Sequence, residues 1–168
     1  MIFVTVGTHE QPFDRLVKEV DHLAESGKIS DVLIQTGYCT YHPRFAAFKQ
    51  WLSTEEMEEM TERADILITH GGPSSFLAGV RKGKIPVVVP RLKEFGEHVN
   101  NHQAEFAAKV EERYHNIIVV SDIRDLGRVI DQYNEITAAM PQGIESNNAA
   151  FIRKFEGIID GMFRKAGK

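Results

Sequence analysis

The sequence predicts one α/β domain of Rossmann-like type, a doubly wound parallel sheet covered by helices on both faces. Three observations predict it. Short apolar runs rich in Val and Ile recur along the chain and read as strands buried on both faces. Segments with helical periodicity separate them, the alternation that builds parallel sheets. The 168 residues suffice for one hydrophobic core, with no repeat or low-complexity linker to divide them.

The elements follow in order. Ile2 to Val6 is the first strand, ended by Gly7, and Phe13, Leu16, Val17, Val20 and Leu23 mark the first helix. Val32 to Gln35 is a strand closed by Gly37; a polar, aromatic loop and a short strand within Phe45 to Trp51 follow. Ser53 and Glu56 have the spacing of a capping box, with Met57 and Met60 on the buried side of the helix they start. Ile66 to Thr69 is a strand, His70-Gly71-Gly72 its turn, and Pro73 suits the first position of the next helix. Val87, Val88 and Val89 form a strand between two prolines. A loop from Arg91 to Gly96 leads to a helix expected to carry Val99, Phe106, Ala107 and Val110. Ile117 to Val120 is the last strand; Ser121 or Asp122 caps a short helix, and a final helix is expected over about 148–165.

Composition removes several classes of function. The formal charge of -4 argues against nucleic acid as a partner. The basic groups Arg81, Lys82 and Lys84 read as solvated surface; Arg91 and Lys93, just past a strand end, are solvated or face an anion. A single cysteine, Cys39, allows no internal disulfide, and no Cys/His cluster has metal-ligand spacing. With no basic leader and no window near the roughly 18 apolar residues of a membrane span, a cytoplasmic protein is expected.

In such folds ligands bind beyond the carboxyl ends of the strands. Three places lie there, Gly7-Thr8-His9, Gly37 onward and His70 to Ser75, and the run from Glu97 follows another strand end and can reach the same crevice. In His70-Gly71-Gly72-Pro73-Ser74-Ser75, two glycines permit a tight turn and close approach, and the following helix start offers free N–H groups and hydroxyls to a phosphate. The same residues also suit a plain strand-to-helix turn. Glu97-His98-Val99-Asn100-Asn101-His102-Gln103 holds one apolar residue among seven and could read sugar hydroxyls, with Glu97 on a vicinal diol; the alternative is a solvated helix start. Gly7-Thr8-His9 combines another glycine with an imidazole suited to general base work, or only a surface histidine.

Together with Val4-Thr5-Val6-Gly7-Thr8, Ile34-Gln35-Thr36-Gly37, Ala64 to Gly72 and Gly83 to Arg91, these segments give the chain a resemblance along nearly its whole length. It resembles the GT-B glycosyltransferases that include the peptidoglycan N-acetylglucosaminyltransferase. More closely, it is similar to the donor-binding subunit of two-subunit enzymes of that type, above all to its bacterial capsule and exopolysaccharide relatives. The resemblance implies the C-terminal, UDP-sugar-binding half of a GT-B enzyme. Gly7, Thr8, Gly71, Gly72, Ser74 and Ser75 would meet the donor diphosphate, and Glu97, Asn101, His102 and Gln103 the ribose or sugar. The stretch Phe48 to Leu52 would lie near the uracil. Many relatives carry a ribose-binding acid on the helix after the glycine turn; Ala78 stands there instead.

A GT-B transferase joins two Rossmann-like domains and this length holds one, so the resemblance implies a partner. That partner would be a membrane-anchored subunit that binds a lipid diphosphate-linked sugar and recruits the chain to the inner face of the plasma membrane. The apolar stripe Phe151, Ile152, Phe155, Ile158, Ile159, Met162 and Phe163 would pack on its own domain or dock that partner. The implied chemistry is an inverting hexosyl transfer without a metal or other cofactor, with His9 or a partner residue as base. A nucleotide-sugar epimerase would need a second domain, and a non-catalytic nucleotide-binding or stabilising subunit is the other class of reading.

Overall fold

The computed structural model describes residues 1–140; the expected last helix, with its docking role, lies outside the described residues. Six strands, β1 (Ile2–Thr5), β2 (Val32–Gln35), β3 (Ala47–Lys49), β4 (Ile66–His70), β5 (Val87–Val89) and β6 (Ile118–Val119), form one sheet. Its order is β3-β2-β1-β4-β5-β6, and every pairing is parallel. The helices are α1 (Asp14–Glu25), α2 (Thr54–Arg63), α3 (Pro73–Arg81), α4 (His102–Tyr114), α5 (Leu126–Asp131) and α6 (Tyr133–Ala139).

Strand alternation sorts the core into two layers. Val4, Ile34, Ile68, Val87 and Val89 point to one face and pack with Leu16, Val17, Val20 and Leu23 of α1 and with Leu126, Val129 and Ile130 of α5. Phe3 and Leu67 face the other way, toward Met57 and Met60 of α2, and Val88 packs there with Phe76, Leu77 and Val80 of α3 and Val110 of α4. Burial on both faces is why these strands read as unbroken apolar runs.

Local signals start the helices where the sequence places them. The Ser53 hydroxyl accepts from Glu56 N, and the Glu56 carboxylate accepts from Ser53 N, a complete capping box. Pro73 opens α3 behind Gly72. One boundary differs from expectation. The helix expected from Glu97 begins at His102, and Val99, placed by periodicity on its buried side, is 65% exposed in a loop. The polar run is held as a loop by contacts with distant residues, described below, which override the local pattern.

The strand order reverses between β1, which continues to β2, and β4, which continues to β5. At such a switch point the loops leaving neighbouring strands diverge and open a crevice. In this chain the loops are Gly7 onward and Gly71 onward.

Candidate functional site

A cavity of about 230 Å³ occupies that crevice. Thr5, Gly7 and Thr8 from the end of β1, Gln35 from β2 and His70 from β4 form its inner wall. Ser74 and Ser75 enter from the first turn of α3, while Trp51, Leu52 and Met57 supply an apolar side. Thus the fold brings together the expected residues Gly7, Thr8, Ser74 and Ser75, and sets the Trp51–Leu52 stretch beside them.

The start of α3 carries no side-chain cap. Gly72 caps it without a side chain, no acid lies in its first turn, and Ala78 stands half-buried further along. Among the described residues, neither the Ser74 nor the Ser75 hydroxyl has a hydrogen-bond partner. The positive end of the helix dipole and two hydroxyls therefore converge on one cavity wall, an arrangement suited to phosphate oxygens.

The glycines work differently from the sequence reading. A Cβ on Gly7 would lie 2.4 Å from His70 Cε1, and one on Gly72 would lie 2.3 Å from His70 Nε2. The imidazole is thus clasped between the two turns, and the space the glycines leave is taken by a side chain. Gly7 also has φ +76°, a left-handed conformation that favours glycine. Gly71 faces Gln103, whose Cβ would lie 2.8 Å from an added methyl. His70 is 8% exposed, and its Nδ1 has no hydrogen-bond partner among the described residues. Burial, reinforced by the nearby Arg91 charge, pushes its pKa down to about 4.

Gln35 holds the inner wall. Its Oε1 accepts from Thr5 Oγ1 at 2.7 Å and from Gly7 N at 3.2 Å, and its Nε2 donates to Gly7 O at 3.3 Å and Gln50 O at 3.2 Å. The last strand residue of β2 so ties the β1 turn to the loop carrying Trp51. Gln35 reads from sequence only as a strand end, because both partners come from elsewhere in the chain.

The other expected ligand residues are not among those that line the cavity. Glu97, expected on a diol, is 3% exposed and grips Arg15 with both oxygens, each at 2.9 Å, while also accepting from Leu92 N at 3.0 Å. Arg91, expected to face solvent or an anion, is 1% exposed. Its guanidinium donates to Gln11 O at 2.6 Å, Val6 O at 2.9 Å and Glu97 O at 3.2 Å, and lies 4.8 Å from the Phe13 ring centre. Asn101 Oδ1 accepts from Lys93 N at 2.8 Å, and Gln103 Oε1 from Arg91 N at 3.3 Å. His102 is exposed, 3.5 Å from Glu105. His9, expected as a general base, has Nε2 2.9 Å from Gln11 Oε1 and stacks on His98. Among the described residues no three His, Cys, Asp or Glu side chains gather in a way that could hold a metal ion.

A six-stranded parallel sheet with a cavity at its switch point defines the class, a single Rossmann-like domain. The profile of the Glycosyltransferase family 28 C-terminal domain matches residues 1–160, and the chain belongs to that family. The mouse protein UDP-N-acetylglucosamine transferase subunit ALG13 is 33% identical over 123 residues. That match takes in 67% of this chain and 10% of the mouse protein. Among solved structures, the glycotransferase of kitacinnamycin superposes with a TM-score of 0.54 at 14% identity, over 89% of this chain and 39% of that one. The chain therefore spans well under half the length of these relatives. No helix among the described residues is long and apolar enough to cross a membrane.

Proposed function

We propose that this glycosyltransferase-family domain is the UDP-sugar-binding subunit of a two-subunit inverting transferase. One observation carries the reading: the uncapped start of α3 and the free Ser74 and Ser75 hydroxyls face the same cavity as the end of β1 and the apolar Trp51–Leu52 wall. The donor diphosphate lies on the α3 start, with Gly7, Thr8, Gly71 and Gly72 shaping the turns around it. The uracil lies against Trp51 and Leu52. The sugar extends toward α4, where His102 is exposed.

The chemistry is a single displacement. The acceptor hydroxyl attacks the anomeric carbon as the bond to the diphosphate breaks, inverting the configuration. The developing charge on the departing UDP is stabilised by the helix dipole, backbone N–H groups and serine hydroxyls, with no metal required. The acceptor, a lipid diphosphate-linked sugar in capsule or exopolysaccharide synthesis, is bound by a separate membrane-anchored subunit, which also takes the acceptor's proton. That subunit draws this otherwise cytoplasmic chain to the inner face of the plasma membrane. The similarity to a protein named as a transferase subunit supports a divided enzyme.

The test is thermal unfolding with and without UDP. At about 100-fold excess over Kd, UDP should stabilise the chain by about 2.7 kcal/mol. Ser74→Ala combined with Ser75→Ala should weaken binding about tenfold. Absence of any shift at millimolar UDP would overturn the donor-site reading. Transfer assays should show negligible turnover by this chain alone and activity with its partner; full turnover alone would refute the divided enzyme.

A further inference from the structure

Gln35 ends β2 and lines the donor cavity, yet it is only 3% exposed. Its side-chain amide is fully committed. Oε1 accepts from Thr5 Oγ1 and Gly7 N, while Nε2 donates to Gly7 O and Gln50 O. Two acceptances and two donations are all that one amide can make. The partners also fix which way the amide points, since Gly7 N can only donate and the two carbonyls can only accept.

These partners belong to two different sides of the cavity. Thr5 and Gly7 lead to Thr8 on the inner wall, and Gln50 leads into Trp51 and Leu52 on the apolar side. Gln50 O also accepts from Gly37 N at 2.9 Å, so two donors from the end of β2 hold the apolar side in place. Gly37 is what lets the β1 turn come this close. It has φ +52°, and a Cβ there would lie 2.7 Å from Gly7 O and 3.2 Å from Gln35 Nε2. One buried side chain thus sets the position of both loops.

Building on the donor-site reading above, we infer that Gln35 is a positioning residue of that site. It fixes the span between the turn facing the diphosphate and the wall facing the base, so that a nucleoside diphosphate meets both at once. Two linked groups bind more tightly than the same groups apart only when the places that receive them stand at a matching span. Holding that span before the ligand arrives lowers the ordering cost of binding. A buried amide suits the task, because loosening any of its bonds leaves a polar group unpaired away from water. With its whole amide committed to the protein, Gln35 acts through Gly7 and Gln50 and not by bonding the ligand. The benefit therefore falls on the joined ligand, and not on the base or the diphosphate alone.

Titration of the full chain with UDP, uridine and inorganic pyrophosphate separates the joined ligand from its parts. Trp51, the single tryptophan, lines the cavity and reports UDP and uridine by its fluorescence, while pyrophosphate is followed by calorimetry. Gln35→Met keeps the length of the side chain and removes its hydrogen bonds. It should weaken UDP about tenfold, and uridine and pyrophosphate by less than about twofold each. Gln35→Glu, when ionised, still accepts from Thr5 and Gly7 N but can no longer donate, and should show the same split. Thermal unfolding shows that each variant is folded at the titration temperature, and either one suffices. A role in the fold alone would lower the melting temperature and leave the three affinities in their wild-type ratio. Equal weakening of all three ligands, or unchanged UDP affinity in a folded variant, would overturn the inference while leaving the donor site standing. Failure of wild type to bind UDP would overturn both.

Discussion

The turn from His70 to Ser75 and the loop from Arg91 to Gln103 both leave strand ends, both are polar, and both read from sequence as places to hold a ligand. The fold uses them in opposite ways. In the first, the uncapped start of α3 and two serine residues face a cavity. In the second, Arg91, Glu97, Asn101 and Gln103 each bond within the protein, and Glu97 is closed on Arg15 from α1. Polar side chains near a switch point can therefore serve a ligand or hold the loops that shape its site, and only an account of their partners tells which.

The sharpest way to break this comparison is Glu97→Ala. If the loop is held by the buried pair, the lost carboxylate strands Arg15 and costs about 3 to 5 kcal/mol in urea unfolding. A variant with near wild-type stability but weakened UDP binding would return Glu97 to the ligand and collapse the distinction. Next in size is the pH dependence set by His70. Its folded pKa of about 4 lies below its ordinary 6.5, so protonation favours the unfolded chain. Its contribution, roughly 3 kcal/mol, is fully present above pH 6.5 and lost as pH falls toward 4. His70→Gln should flatten stability over that window; an unchanged slope would show the ring to be solvated.

A smaller effect tests the clasp around that ring. Gly72→Ala should cost about 2 kcal/mol, because its methyl would meet the imidazole at 2.3 Å. In a double-mutant cycle, His70→Ala should remove most of that cost. If the two losses simply add, the glycine is needed for some other reason. Smallest of all, Ser74→Ala with Ser75→Ala should change the stability of the free chain by no more than about 0.5 kcal/mol. A larger loss would mean that the serines hold the fold and are not kept for a ligand.

Much of the fold was legible because its causes are local. Strands buried on both faces must be apolar throughout, the Ser53–Glu56 box and Pro73 announce their helices, and the prolines bracket β5. The turn into α3 was legible for the same reason, since Gly72, Ser74 and Ser75 are contiguous with the helix they open. What escaped depends on distant partners. Arg15 and Glu97 are 82 positions apart, and their pairing turns an expected helix start into a loop with Val99 outside. The link from Gln35 to the β1 turn spans 28 positions. The His9–His98 stack joins two loops that only the sheet order brings together. Gly7 and Gly72 were expected to leave room for a ligand, and the His70 ring takes that room, because sequence shows that a Cβ is missing but not what fills its place.

The clasp has a consequence for descent. Positions 7, 70 and 72 share one volume, so none of them is free to change alone. A lineage that exchanged the imidazole for a smaller side chain would release both glycines to acquire side chains. One that kept the imidazole would hold both fixed, even if it had lost the ligand. Invariance of these glycines among relatives would then record the persistence of a ring, and correlated change at the three positions is the trace to look for.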